Sequence, residues 1–445
     1  MRVIIVGAGP TGLLLGAGLA RRGHEVVAFD RDPGPADASA WPRRGVMQFE
    51  HPHGFRQQVP DLLAAEWPDA LATWLDLGGE PRGFDGPDGR FVRVGIASRR
   101  STFERALRTA AASRTGLAVE VGTVDGIVER AGRVTGVVVE GRVLAADLVV
   151  DATGRGGRVL RGRAGRGGRR RDCGIAYVTR TYRRHPGVEP GPLTNPVVWG
   201  GSFAGYDAMV FPHEDRHLSV VFVRSTEDDL LTALRHDEVF EEACHRIPAV
   251  AAWTEPELAT PTSRVLVGGA LRNSYRPQLR RPGLVAVGDA VATTTPTAGR
   301  GVALCSMQIA ALLALLDDGA DPAGVATPFG RWCDEQIRPW VDDHIDADDE
   351  TARRLRGIDI DLRRPLTSRA IVAAAGEDPA IGEHVAGFLA MTAPPASVRP
   401  AEPLARAVYE SGWRPPFAEG PGRVALVAPA APAAPVARRP AGARA

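Results

Sequence analysis

The chain has 445 residues, 44% hydrophobic and 24% charged, with 54 basic against 53 acidic side chains and a formal charge of +1. That length allows two or three domains with a substantial core, and the balanced charge implies no overall polyelectrolyte partner. Every basic residue is arginine, so chemistry that needs a lysine amine, such as a Schiff base or a P-loop lysine, is excluded as well.

Cys173, Cys244, Cys305 and Cys333 lack C-x-x-C or metal-ligand spacing, so they read as separate thiols in a reducing cytosol, and no metal centre is expected. The longest apolar run, "VALCSMQIAALLALL" from Val302, is about 15 residues, short of the roughly 20 a membrane span needs, and reads as a buried helix. A cytoplasmic protein with no membrane span is expected, as a monomer or homodimer.

In chain order, "RVIIVGAGPTGLLLGAGLARRGHEVVAFDRDP" predicts a complete strand–helix–strand unit. Val3 to Val6 form an apolar run suited to a parallel strand buried on both faces. Gly7, Gly9 and Gly12 have G-x-G-x-x-G spacing, which serves a tight turn, the approach of a pyrophosphate and the close packing of helix on strand. The helix N-terminus then offers unpaired N–H groups and partial positive charge to phosphates. Gly23 ends the helix, Val26 to Phe29 form the second strand, and Asp30 follows where a carboxylate accepts from ribose hydroxyls. His51 and His53, in "FEHPHGF", read either as active-site groups or as loop histidines, with no further ligands nearby for a metal.

"RRSTFERALRTAA" predicts a helix in which Phe103, Ala106, Leu107 and Ala110 make one apolar stripe, and "DLVVDATG" (Asp147 to Gly154) predicts a strand. The most basic stretch, Gly154 to Asp172, has no interleaved aromatics. It reads as a mobile surface loop beside phosphates, and no nucleic-acid partner is expected. Residues 172–183 and two strands in "DAMVFPHEDRHLSVVFV", turning at His213 to Arg216, suggest an antiparallel sheet. Helices are expected over Asp237 to Ile247, 305–316 and 325–356, with Pro339 kinking or ending one. The Ala/Pro-rich tail "APAAPAAPVARRPAGARA" is expected to be disordered.

"VAVGDAVATTTPTAGRGVAL" (285–304) is a second nucleotide-type arrangement. A strand breaks at Gly288-Asp289, a threonine-rich loop runs to Pro296, and Gly299-Arg300-Gly301 opens an apolar helix. The first motif suits the adenosine and pyrophosphate half of a dinucleotide. A second carboxylate suits a partner half with a hydroxyl-bearing chain, and the ribitol of FAD is such a chain.

Together these segments resemble the FAD-dependent group A flavoprotein monooxygenases and related oxidoreductases of the para-hydroxybenzoate hydroxylase type. That family's landmarks are an N-terminal G-x-G-x-x-G, a mid-chain Asp-Gly and a late G-D…P-x-x-G-x-G, of which the first and third are intact. The resemblance implies an α/β fold: a discontinuous Rossmann-like FAD-binding domain, an inserted, mostly antiparallel β-sheet substrate domain, and C-terminal helices. The implied boundaries are 1–58, 95–160 and 265–320 for FAD binding, 59–94 and 161–264 for substrate, 321–426 for the helical region and 427–445 for the tail. Besides Gly7, Gly9, Gly12 and Asp30, it implies FAD contacts from Arg44 and Gln48 of "PRRGVMQ" and from Arg100 of the R-x-x-F-x-x-x-L helix. It assigns Asp289 to ribitol, and Pro296, Gly299, Arg300 and Gly301 to a helix start under the flavin. His51, His53, Pro296 and Arg300 are the candidate catalytic groups.

The same resemblance implies transfer of one oxygen atom from O2 to a small organic substrate, as hydroxylation or epoxidation through a flavin C4a-hydroperoxide. NADPH, NADH or a separate flavin reductase would supply electrons. Ala152-Thr153-Gly154 stands where the family has Ala-Asp-Gly, which puts direct reduction by a pyridine nucleotide in question. The alternatives are a flavin dehydrogenase or reductase of C–C or C–N bonds and, outside enzymes, a nucleic-acid-binding protein that would leave both nucleotide motifs unused. A halogenase is disfavoured, because those enzymes rely on an active-site lysine and a W-x-W-x-I-P motif that this chain lacks.

Overall fold

A computed structural model describes residues 1–35, 41, 43, 45–156, 168–269 and 271–429. Strand β1 (Arg2–Val6), helix α1 (Pro10–Arg21) and strand β2 (Glu25–Asp30) form the expected unit. They sit in a five-stranded parallel sheet ordered 284–286, 148–151, β1, β2, 117–121. The apolar run of β1 is continuous because both faces are covered. Val3 and Ile5 join the helical core, while Ile4 and Val6 pack with Val134, Val137 and Val139 of a three-stranded antiparallel sheet on the other side.

Helices α2 (Gln58–Glu66), α3 (Pro68–Asp76) and α4 (Arg100–Ala112) belong to the same helical core, through Leu63, Trp67, Trp74, Phe103 and Leu107. Residues 59–76, which the sequence reading grouped with the substrate domain, thus pack beside the parallel sheet. The stripe expected on α4 is the face it buries.

The second large sheet is antiparallel, in the order 199–203, 206–212, 217–225, 175–184, 259–261. Alternation divides its residues. Val210, Val220 and Phe222 face an outer core shared with α5 (Asp237–His245) and α6 (Pro248–Thr254), while Tyr177, Val221 and Val223 face inward. The turn at 213–216 docks on the start of α4. There the buried Glu214 accepts from the Arg99 N–H (2.8 Å), the Arg99 guanidinium (2.7 Å) and the Thr102 hydroxyl.

Helix α7 (Gly301–Asp317) packs on α1. Residues 325–356 are helical with a break beside Pro339, as expected: α8 (Ala326–Gln336) stops, and α9 (Arg338–Leu355) begins with Pro339 in its first turn, where the missing N–H costs nothing. The basic stretch Gly154 to Asp172 differs from a plain loop. Arg169–Asp172 is a strand paired with Arg272–Tyr275, and Arg169 and Arg171 pair with Asp342 and Asp349 of α9. The charges of Arg169 and Arg171 are met inside the molecule. Residues 157–167, with Arg158, and the tail from 430 lie outside the described residues. No helix among the described residues is long and apolar enough to cross a membrane.

Candidate functional site

A cavity of about 830 Å³ opens at the C-terminal ends of the parallel strands and runs under the inner face of the antiparallel sheet. Ligand crevices of doubly wound sheets form at that edge.

The polar half begins at Gly7, whose φ of +105° and closeness to Ala152 O, 2.5 Å from an added Cβ, admit only glycine. A Cβ on Gly9 would meet nothing nearer than the Arg43 guanidinium at 3.7 Å, so that face is open to a ligand. Gly12 does not line the cavity. Its missing Cβ would lie 1.9 Å from Gly7 O, which makes it the packing glycine. No side chain caps α1 or α7, so their first-turn N–H groups remain for an anion. Asp30 accepts from the Ala8 and Asp32 N–H groups (both 3.0 Å) and faces Arg43 at 3.4 Å, tying the glycine loop to the end of β2. Glu104, almost fully buried, bridges Arg43 and Arg100.

The second motif closes on the first. Gly288, at φ +68°, leaves no room for a Cβ, which would lie 2.7 Å from Thr11 Oγ1, and its N–H donates to Gln308 Oε1 (2.9 Å). Asp289, Pro296, Gly299 and Gly301 line the cavity beside Gly9 and Thr11. Gly299 takes the left-handed conformation (φ +60°) that turns the loop into α7. Arg300 does not line it. Its guanidinium pairs with Asp343 (2.7 Å) and lies over the rings of Trp340 and Phe388. Thr153 lines the cavity, and its hydroxyl and N–H both donate to Asp151.

Arg100 lines the cavity and donates to His53 Nε2 (3.1 Å). His53 Nδ1 lies 2.9 Å from the His51 carbonyl, so the ring is neutral with its proton on Nδ1. Burial, reinforced by Arg100, pushes His53 down to about 3. His51 sits where the two halves meet, with Nδ1 2.9 Å from Thr179 Oγ1 and its ring edge-on to Tyr177; burial lowers it to about 4. Gln48 also lines the cavity. Arg44 lies outside the described residues; the neighbouring Arg43 lines the cavity.

The other half is a wall of Ile175, Tyr177, Met209, Phe211, Val221 and Val223. Burial raises Tyr177 to about 12, so it stays protonated, and Asp207 on the same face is neutralised by Arg354 (2.7 and 2.8 Å). The sequence reading did not identify this wall, nor Arg43 or Thr294. The available signal for the wall was that 208–211 and 220–223 are apolar on both faces, as strands covered on both sides are. Thr294 Oγ1 is buried at the cavity with no partner among the described residues, a hydroxyl left for a ligand.

Residues 5–60 match the family model of the NAD(P)-binding Rossmann-like domain. The structure resembles the flavin-dependent brominase Bmp2 over 93% of this chain and 99% of that one, with a TM-score of 0.59 and 15% identity. It resembles PqsL, described as a probable FAD-dependent monooxygenase from Pseudomonas aeruginosa, over 80% of this chain and 98% of that one (TM-score 0.56, 16% identity). The chain has the fold of the FAD-dependent monooxygenases and halogenases. The myxobacterial chondrochloren halogenase CndH shares it over 91% of this chain and 96% of its own (TM-score 0.54, 18% identity). A D-amino acid dehydrogenase of Sinorhizobium medicae (strain WSM419) is 43% identical over 89 residues, 17% of this chain. The match spans 21%, about a fifth, of that dehydrogenase's length. The family resemblance read from the sequence is borne out at the level of fold.

Proposed function

We propose that this chain is an FAD-dependent monooxygenase acting on a small organic substrate with an apolar body. The observation that carries the reading is a single cavity joining a dinucleotide-type half to an uncharged apolar wall. FAD fits the residues present. Gly7 and Gly9 admit a pyrophosphate, Arg43 and Arg100 supply positive charge, Asp289 and the orphan Thr294 hydroxyl suit the hydroxyls of a ribitol chain, and the start of α7 offers uncapped N–H groups. When bound, FAD would supply the two-electron and oxygen chemistry. The protein's part is to orient and to exclude water. Ile175, Tyr177, Met209, Phe211, Val221 and Val223 hold the substrate's apolar body, and neutral His51 at the seam can orient a substrate hydroxyl by a hydrogen bond. The electron donor is NADPH, NADH or a partner reductase. With Thr153 turned back on Asp151, reduction by NADPH alone is expected to be slow.

Purified protein should carry a flavin spectrum, and turnover under ¹⁸O₂ should place one labelled atom in the product. Two other readings have support. Dehydrogenation is favoured by the 43% identity to the D-amino acid dehydrogenase segment, and halogenation by the brominase and halogenase neighbours. Product without label, formed while an artificial acceptor is reduced, would establish the first; halide-dependent product would establish the second. The chain holds no lysine to serve halogen transfer.

A further inference from the structure

Behind the loop that leads into α7 lies a cluster of polar side chains that the reading above leaves unused. Thr295 and Thr297 line the cavity; Asn273, His344 and Asp348 stand behind them and do not. Asn273, Thr295, His344 and Asp348 are each no more than 2% exposed. Asp348 accepts from Asn273 Nδ2 (2.7 Å), Thr295 Oγ1 (2.8 Å) and Thr297 Oγ1 (3.1 Å). Asn273 Oδ1 in turn accepts from the Thr295 N–H (2.8 Å), and His344 Nε2 lies 2.7 Å from Thr295 Oγ1.

His344 and Asp348 belong to α9, and so does Asp343, which holds Arg300 at the other end of the loop. The segment from Thr295 to Arg300 is therefore pinned to one helix at both ends. A buried network of hydrogen bonds converging on one carboxylate rigidifies what it touches, and removing one member leaves the others unpaired. Asp348 is the hub, because one carboxylate takes three of the bonds.

We propose that Asp348 is a positioning residue for the cofactor: acting through Thr295, Thr297 and Asn273, it holds the 294–301 loop in the shape that receives the flavin. The inference rests on the flavin reading of the cavity and extends it to a residue that touches no ligand.

Three measurements on the full chain test it: FAD dissociation by fluorescence, the midpoint potential of the bound flavin, and amide hydrogen exchange with and without FAD. Asp348→Asn keeps the side chain's shape but removes acceptor capacity. It should weaken FAD binding on the order of 10-fold, shift the potential, and speed exchange within 294–301 while leaving β1 and β2 protected. Thr297→Val removes one of the three bonds and should move all three readouts the same way by less. Wild-type affinity, potential and exchange in Asp348→Asn would overturn the proposal. So would faster exchange spread evenly over the chain with the potential unchanged, since that describes a general stability role. Failure of the flavin reading is distinguishable: wild-type protein that takes up no FAD refutes that reading whatever Asp348 does. Wild type that binds FAD beside an unaltered Asp348→Asn refutes the positioning role alone.

Discussion

The half of the cavity at the ends of the parallel strands is shaped by turns of the backbone that carry a few polar side chains, and the half under the antiparallel sheet is shaped by apolar side chains. In the first, Gly7, Gly288 and Gly299 stand where a turn or a close approach leaves little choice of residue, and Gly9 leaves an open face. In the second, Ile175, Tyr177, Met209, Phe211, Val221 and Val223 come from three strands, and any apolar set of similar volume would line it. The contrast follows from the ligands each half suits. Phosphates are held by N–H groups that must be bared by local geometry, whereas an apolar substrate needs only dry surface of the right shape.

The contrast can be broken most severely at Gly12. Its absent Cβ would lie 1.9 Å from a backbone oxygen, so Gly12→Val should prevent formation of the β1–α1 unit and leave little soluble folded protein. Wild-type melting of that variant would end the packing role assigned to it.

Acid attacks the seam between the halves. His51 and His53 there, His344 behind the loop and His213 at the hairpin turn have folded pKa values lowered by burial to about 4, 3, 3 and 4. Each is below the 6.5 of the unfolded chain, so between those values the unfolded state binds more protons. Stability is full above pH 6.5 and is lost as pH falls toward 4, by up to about 1.4 kcal/mol per pH unit for each imidazole. Melting temperature measured from pH 7.5 to 4.5 should fall, and His53→Asn should flatten the decline; a level profile would contradict the buried neutral rings.

Asp289→Ala separates binding from folding. Losing charge-assisted hydrogen bonds to the ligand should cost about 1.5–3 kcal/mol, on the order of 10- to 100-fold in FAD affinity, with the circular dichroism spectrum retained. Full flavin occupancy after dialysis would remove Asp289 from the cofactor site. The smallest effect is expected on the other wall. Val223→Thr puts one hydroxyl among apolar groups at about 1–3 kcal/mol, which should raise the substrate KM several-fold and leave flavin content as in wild type. A loss of flavin instead would mean that the two halves are not separable.

What could be read before folding follows the same division. The β1–α1–β2 unit, the break at Gly288-Asp289 and the turn at Gly299 were legible because each depends on neighbours within a few residues. The antiparallel strands were legible too, as two largely apolar runs around the polar turn His213 to Arg216. The resemblance assigns Arg300 to the cofactor because it lies inside a loop motif, yet its side chain is drawn toward Asp343, Trp340 and Phe388, none of them near it in sequence. The basic stretch looked like a free loop because the acidic face of α9 that meets Arg169 and Arg171 is distant along the chain.

By itself, then, the sequence determined where the backbone must bend and bare its N–H groups, because those requirements fall on single residues and their immediate neighbours. Only the tertiary structure decided which side chains face one another across the cavity. It paired Asp30 with Arg43, set His51 between Thr179 and Tyr177, and placed Asp348 behind the α7 loop. Contacts of that kind join residues far apart in the chain, and no local pattern records a partner that folding supplies.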